Sequence, residues 1–279
     1  MLRSTVRLLV TNTPKRYAST NVLVEKFEDG KIVHLVLNRH DGKNSFSKQM
    51  LADFNAAVAQ LHEDKTVRVV VLKSTVDKVF CAGADLKERA TMPDSEVAPF
   101  VARLRSSIDK VAKIPVPVIA AIDGAALGGG LELALACDLR IAGDKALLGL
   151  PETALGIIPG AGGTQRLPRV VGLAKAKELI YTAARLNSKQ AAAIGLITES
   201  VEGRSSAERA HEIALEIAEK GPIAIRMAKK ALDEGVQVPL DEALNRVEAE
   251  CYGGVVDTAD RKEGLLAFKE KRKPNYQGK

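Results

Sequence analysis

The 279-residue chain has no tryptophan and only 4% aromatic residues, so stacking platforms for single-stranded nucleic acid are scarce. Its cysteines, Cys81, Cys137 and Cys251, are odd in number and widely spaced, with no CxxC among them. That argues against a disulfide framework and against a thiolate zinc site. The four histidines, His34, His40, His62 and His211, show no metal-ligand spacing, so no metal is expected. No apolar run approaches the roughly 20 residues of a membrane span. GxxxxGK[ST] is missing, and neither GAALGGG (124–130) nor GAGGTQ (160–165) satisfies G-x-G-x-x-G. Without G-x-S-x-G, a serine hydrolase is also poorly supported.

The charge is unevenly placed. Residues 1–20 carry Arg3, Arg7, Lys15 and Arg16 and no acid, the first acidic residue being Glu25. Arg-rich, hydroxyl-rich and acid-free is the pattern of a mitochondrial presequence; a tail without structure is the alternative. Without those four charges the net +6 falls to +2, and residues 261–279 hold seven Lys/Arg against two Glu. The main body is therefore slightly acidic, unlike a general nucleic-acid binder.

What is present reads as strand–helix alternation. VLVEKFEDGKIVHLVLNR (22–39) holds two β-rich runs around a Glu28-Asp29-Gly30 turn, which places His34 in a strand. HDGKNSFS (40–47) reads as a polar loop with Ser47 as helix N-cap. Met50, Leu51, Phe54, Val58 and Leu61 then recur at helical spacing. Further strands are expected over 66–74, 114–124 and 138–143, and a helix over 94–113 despite Pro99. Residues 148–172 read as a long glycine-rich loop of the kind that carries function. From Leu173 onward the pattern is helical, with Pro222 and Pro239 at helix starts. This is an α/β core with a helical appendage, divided near 195–203.

The chemistry concentrates between Ile119 and Glu152. Gly128, Gly129 and Gly130 precede a helix, where a reacting group can approach the backbone and meet unpaired N–H donors. CAGADL (81–86) places small residues at a second helix start. Paired amides from two loops stabilise an oxyanion; the alternative is that the glycines only permit tight packing. Glu132, set among Leu131, Leu133 and Leu135, is a carboxylate that burial adapts to proton transfer, and Glu152 is a second. Cys81 reads as a small buried hydrophobe rather than a nucleophile.

VFCAGADLKE, PVPVIAAIDGAALGGGLELALACDLRIA and GLPETALGIIPGAGGTQRLPRVVG resemble the enoyl-CoA hydratase/isomerase (crotonase) superfamily from about residue 22 to 279. GKNS (42–45), FCAGADLKERA and GLLAFKEKRKPNY look most like its methylglutaconyl-CoA hydratase branch, the AU-binding homologues of mitochondrial leucine breakdown. With residues 1–20 set apart as the presequence, the resemblance implies a spiral of ββα turns over 21–198 and a helical C-terminal trimerisation region over 199–279. It implies trimers paired into hexamers, a location in the mitochondrial matrix, and acyl-CoA substrates with no separate cofactor.

By the same resemblance, Ala84 and Gly129 match the two amides that hold the thioester oxygen. Glu132 and Glu152 match the acid/base pair, and Gly160 the amide that helps hold the attacking water. Ala82, Asp85 and Leu86 match a loop contacting coenzyme A; Phe268 and Lys271 match the C-terminal FxxK near its adenine. Lys43 and Asn44 are expected to shape the loop below the site. The implied reaction is hydration of 3-methylglutaconyl-CoA to 3-hydroxy-3-methylglutaryl-CoA, with a broad short-chain enoyl-CoA hydratase as the alternative. For an acid-tailed substrate Lys87, Arg89 and Arg105 are candidate cations. AU-rich RNA binding is the alternative of another class. The lysine-lined helix of that branch here reads Ala52, Asn55, Ala56 and His62, which argues against RNA as a partner.

Overall fold

The computed structural model describes residues 16–279, so the expected presequence lies outside the described residues up to position 15. Arg16–Ala18 form a first strand, β1. A seven-stranded sheet runs in the order β1, β2 (Val22–Phe27), β3 (Ile32–Leu37), β4 (Val69–Ser74), β6 (Val118–Ile122), β8 (Leu139–Ala142) and β11 (Glu199–Ser200). A second sheet of four has the order β10 (Arg185–Asn187), β9 (Leu147–Gly149), β7 (Ala125–Leu127) and β5 (Val79–Cys81). β2 is antiparallel to both of its neighbours, β1 and β3, and β3, β4, β6, β8 and β11 are parallel. Each turn of chain leaves one strand in each sheet, β4 then β5, β6 then β7, β8 then β9, before a helix carries it back. This is the expected spiral of ββα turns.

Period-two patterning explains the layers. In β3, Val33, Leu35 and Leu37 enter the large core beneath helix α1 (Lys48–Glu63), which contributes Met50, Phe54, Val58 and Leu61. Ile32, on the other face, joins Val69, Val71, Ile119, Ala121 and Ile141 against Ala210, Ala214 and Ala218. Those alanines recur every four residues along α8 (Ser206–Ala218) and let the helix approach the sheet. His34 lies on that face, its Nε2 3.0 Å from Nδ1 of His211 in α8.

Helices α2 (Leu86–Ala90) and α3 (Asp94–Ala112) follow β5, and α4 (Gly129–Leu135) follows β7. The stretch 148–172 is not one long loop. It contains β9, a 3-10 turn (Pro151–Leu155) and α5 (Gly163–Val171). α5 forms around Pro168 because burial of Leu167 and an Arg166–Asp109 ion pair hold it against its neighbours. HDGKNSFS also differs from expectation, since Asn44 is fully buried. Its Nδ2 donates to Ser74 Oγ and Phe80 O, and its Oδ1 accepts from Arg39 N, so a polar side chain pins this loop to β5. Ser47 caps α1 as expected.

After α6 (Leu173–Tyr181) and α7 (Ser188–Ala193), β11 still pairs with the main sheet. The chain then continues through α8 and α9 (Pro222–Gly235). α10 (Leu240–Glu242) runs through a π-helical turn into α11 (Ala249–Val256), and α12 (Ala259–Glu270) closes the fold. Leu232, Val236, Leu240, Tyr252 and Phe268 remain exposed on these last helices.

Candidate active site

Two loops meet backbone to backbone. Gly83 adopts φ +89°, and a Cβ there would stand 2.9 Å from Leu127 O and 3.0 Å from Gly129 N. Reciprocally, a Cβ on Gly129 would lie 3.3 Å from Gly83 Cα and 3.7 Å from Ala84 N. The approach is tighter still one residue on, where a Cβ on Gly130 would fall 2.0 Å from Cys81 O. Glycine is needed at Gly83 and Gly130 for this contact to exist.

The same contact leaves two amides for a ligand. Phe46 bridges the first loop by donating to Gly83 O and accepting from Asp85 N, which leaves Ala84 N–H on the opposite side. Gly129 opens α4, where the first amides have no intrahelical acceptor. Ala84 and Gly129 therefore present N–H groups from adjoining backbones, the geometry of an oxyanion hole.

Glu132 sits in the first turn of α4, and its side chain is buried at 2% exposure. One oxygen, Oε1, accepts from Ala161 N at 2.7 Å and Gly163 N at 2.8 Å. Burial raises its pKa, while the two amides and the charges of Arg166 and Arg105 pull the other way. Glu152 belongs to the 3-10 turn. Burial pushes it up to about 7, and the nearby charge of Glu132 adds to the rise. Its Oε2 is buried with no hydrogen-bond partner among the described residues. Its Oε1 lies 3.1 Å from where a Cβ on Gly128 would stand.

Ala84, Gly129, Glu132, Glu152 and Gly160 line one cavity of about 1090 Å³, together with Ala82 and Leu86. The carboxylates, 20 positions apart in sequence, thus share a chamber with the paired amides. The Gly160 carbonyl accepts from Arg105 Nε at 2.7 Å, and two further amides, those of Ala161 and Gly163, hold Glu132. Sequence reading missed these two, although the run GAGG was the available signal.

Other expected contacts are not in the cavity. The Asp85 carboxylate caps α2 through Lys87 N and Glu88 N and pairs with Arg39 at 2.8 Å, so it supports the loop from behind. Phe268, 86% exposed, and Lys271, the C-cap of α12, do not line the cavity of their own chain. Of the candidate cations, Arg89 and Arg105 line it and Lys87 does not, while Arg185 of β10 was not anticipated. Lys43 and Asn44 do shape the loop, because Lys43 O accepts from Ala82 N and Asn44 O from Cys81 Sγ. Burial raises the Cys81 thiol to about 12, consistent with a packing role. On α1, Asn55 and His62 direct their polar atoms to Ser107 and Lys110 of α3.

The family model described as enoyl-CoA hydratase/isomerase matches residues 28–279. A rat protein named methylglutaconyl-CoA hydratase, mitochondrial, is 52% identical over 255 residues, covering 90% of this chain and 81% of its own. A probable mitochondrial enoyl-CoA hydratase 2 of Arabidopsis thaliana is 48% identical, covering 100% of this chain and 91% of its own. The crystal structure of an enoyl-CoA hydratase from Bacillus anthracis superposes with a TM-score of 0.90 at 49% identity, over 93% of this chain and 100% of that one. Matched along nearly its whole described length in both sequence and fold, the chain belongs to the enoyl-CoA hydratase/isomerase family.

Proposed function

We propose that the protein is an enoyl-CoA hydratase, a hydro-lyase that adds water across the 2-enoyl double bond of an acyl-CoA thioester. The observation that carries this reading is the opening of two carboxylates and two amides, unpaired among the described residues, into one cavity. The amides of Ala84 and Gly129 donate to the thioester oxygen, and each such donor contributes ~3–4 kcal/mol to the enolate-like transition state. This draws electrons from C3 and makes it the site of attack. Glu132, whose ionised form is favoured by two N–H donors, takes a proton from water as the oxygen bonds to C3. Glu152, near half-protonation at neutral pH, delivers a proton to C2. Coenzyme A enters as part of the substrate along Ala82 and Leu86, and no separate cofactor takes part.

Within that class we infer 3-methylglutaconyl-CoA as substrate and 3-hydroxy-3-methylglutaryl-CoA as product, a step of leucine degradation. The similarity to the rat protein supports this, as do the cavity-lining Arg89 and Arg185, which have no ion pair among the described residues. Either arginine can meet the second carboxylate of such a substrate. The mitochondrial names of the relatives and the basic, acid-free start of the chain support a location in the matrix. The exposed apolar residues of α9–α12 support assembly into trimers or hexamers, in which Phe268 and Lys271 serve the adenine end of a neighbour's site. A spectrophotometric hydration assay comparing 3-methylglutaconyl-CoA with crotonyl-CoA tests the substrate. A kcat/KM at least about tenfold higher for the acid-tailed thioester, or 1.4 kcal/mol, is expected. Equal values would leave a broad short-chain hydratase.

A further inference from the structure

One face of α3 grips the segment that holds Glu132. Val101, Arg105 and Asp109 recur every four residues and so lie on one stripe. At the first of them Val101 Cγ1 occupies the space beside Gly160, 2.7 Å from where a Cβ there would stand. One turn later Arg105 Nε donates to Gly160 O at 2.7 Å. After another turn Asp109 Oδ1 accepts from Arg166 Nη2 at 2.9 Å. The Arg166 guanidinium in turn lies over Gly162, with Nη1 2.3 Å from the position of a Cβ at that glycine. Between the two anchor points lie Ala161 N and Gly163 N, the donors to Glu132. A segment this rich in glycine has little stiffness of its own, so the grip must come from outside it.

We propose that Arg105 and the Asp109–Arg166 pair are positioning residues that hold the 160–166 segment from α3 and thereby fix the orientation and basicity of Glu132. The inference rests on Glu132 acting in the hydration proposed above. The charged groups that act on Glu132 are Arg166 from α5 and Arg105 from α3, with Glu152 of the 3-10 turn nearby, and Asp109 of α3 is paired with Arg166. Loosening the segment withdraws two N–H donors from a buried carboxylate and favours its protonated form. Misplacement of a catalytic group by about 1 Å can cost up to about a hundredfold in rate.

The test measures kcat, KM and the acid limb of kcat against pH for Arg105→Leu, Arg105→Lys and Asp109→Asn, beside Glu132→Gln. Asp109→Asn separates geometry from charge. Removing a negative charge would by Coulomb's law move the limb to lower pH, whereas releasing the segment moves it to higher pH. The expected result is a kcat lowered about ten- to a hundredfold in Arg105→Leu and less in Asp109→Asn, with KM within about twofold. Both limbs should move to higher pH, and Arg105→Lys should recover only part of the loss. Wild-type kcat and limb in Arg105→Leu and Asp109→Asn, a fall in melting temperature alone, or a limb moving to lower pH in Asp109→Asn would overturn the inference. An active Glu132→Gln would instead remove the hydratase mechanism on which it rests.

Discussion

Glu152 illustrates a site residue whose chemistry works against the fold. Its pKa is raised to about 7 from an ordinary 4.5 by burial and by Glu132. A group held above its unfolded pKa contributes stability that is present below about 4.5 and lost as pH rises through about 7. Glu152→Gln should therefore raise the melting temperature at pH 8, by roughly 2 °C for about 1 kcal/mol after allowance for partial solvent exposure. The difference should shrink as pH falls toward 5, and a variant less stable than wild type at pH 8 would contradict the assignment. At this scale the sequence was informative wherever a residue clashed with its surroundings. A carboxylate among Leu131, Leu133 and Leu135 is conspicuous, and so are three consecutive glycines. Only the run GAGG hinted at Ala161 and Gly163 as ligands of Glu132, because they act through main-chain N–H groups that side-chain identity does not encode. Arg185 was missed because only the pairing of β10 with β9 brings it to the cavity.

At the scale of elements, the sheet and α8 meet through the His34–His211 hydrogen bond, with Phe27 packed against both rings. His34 is lowered to about 2, first by burial and then by the charges of Lys73 and His211; burial also lowers His211. A histidine held below its unfolded pKa contributes stability that is present above about 6.5 and lost as pH falls below it. The interface should weaken by on the order of 1 kcal/mol per pH unit in that range. Melting temperatures from pH 7.5 to 5.5 should fall more steeply for wild type than for His34→Gln, whose amide can still donate to His211. Parallel slopes would show that the pair does not set the acid sensitivity. Long periodic elements such as α1, α3, β3 and β4 were evident from their apolar spacing. The three-residue strands β5, β7, β9 and β10 were not, since so short a run has no period to detect. They carry the glycine loops, so the register that joins Gly83 to Gly129 is a tertiary result.

For the whole molecule, the spiral core is complete within one chain, while the last helices leave Leu232, Val236, Leu240 and Tyr252 open to water. If these faces are covered by copies of the chain, sedimentation should give a trimer or hexamer, and Leu232→Glu with Val236→Glu should shift it to smaller species. KM for acyl-CoA should then rise, because Phe268 and Lys271 would no longer reach a neighbour's cavity. A monodisperse, fully active monomer would contradict the assembly. The sequence conveyed the helical character of this region through its 3.6-residue spacing, but not which helix faces stay open to water, because packing between residues distant in the chain decides that.

The chamber shared by Glu132, Glu152 and the Ala84 and Gly129 amides is the core of the account, and hydration of crotonyl-CoA by the two single variants tests it most directly. Glu132→Gln and Glu152→Gln should each lower kcat by about 10²- to 10⁴-fold, with circular dichroism unchanged. Wild-type turnover in either variant would show that the two carboxylates do not carry the proton transfers assigned to them.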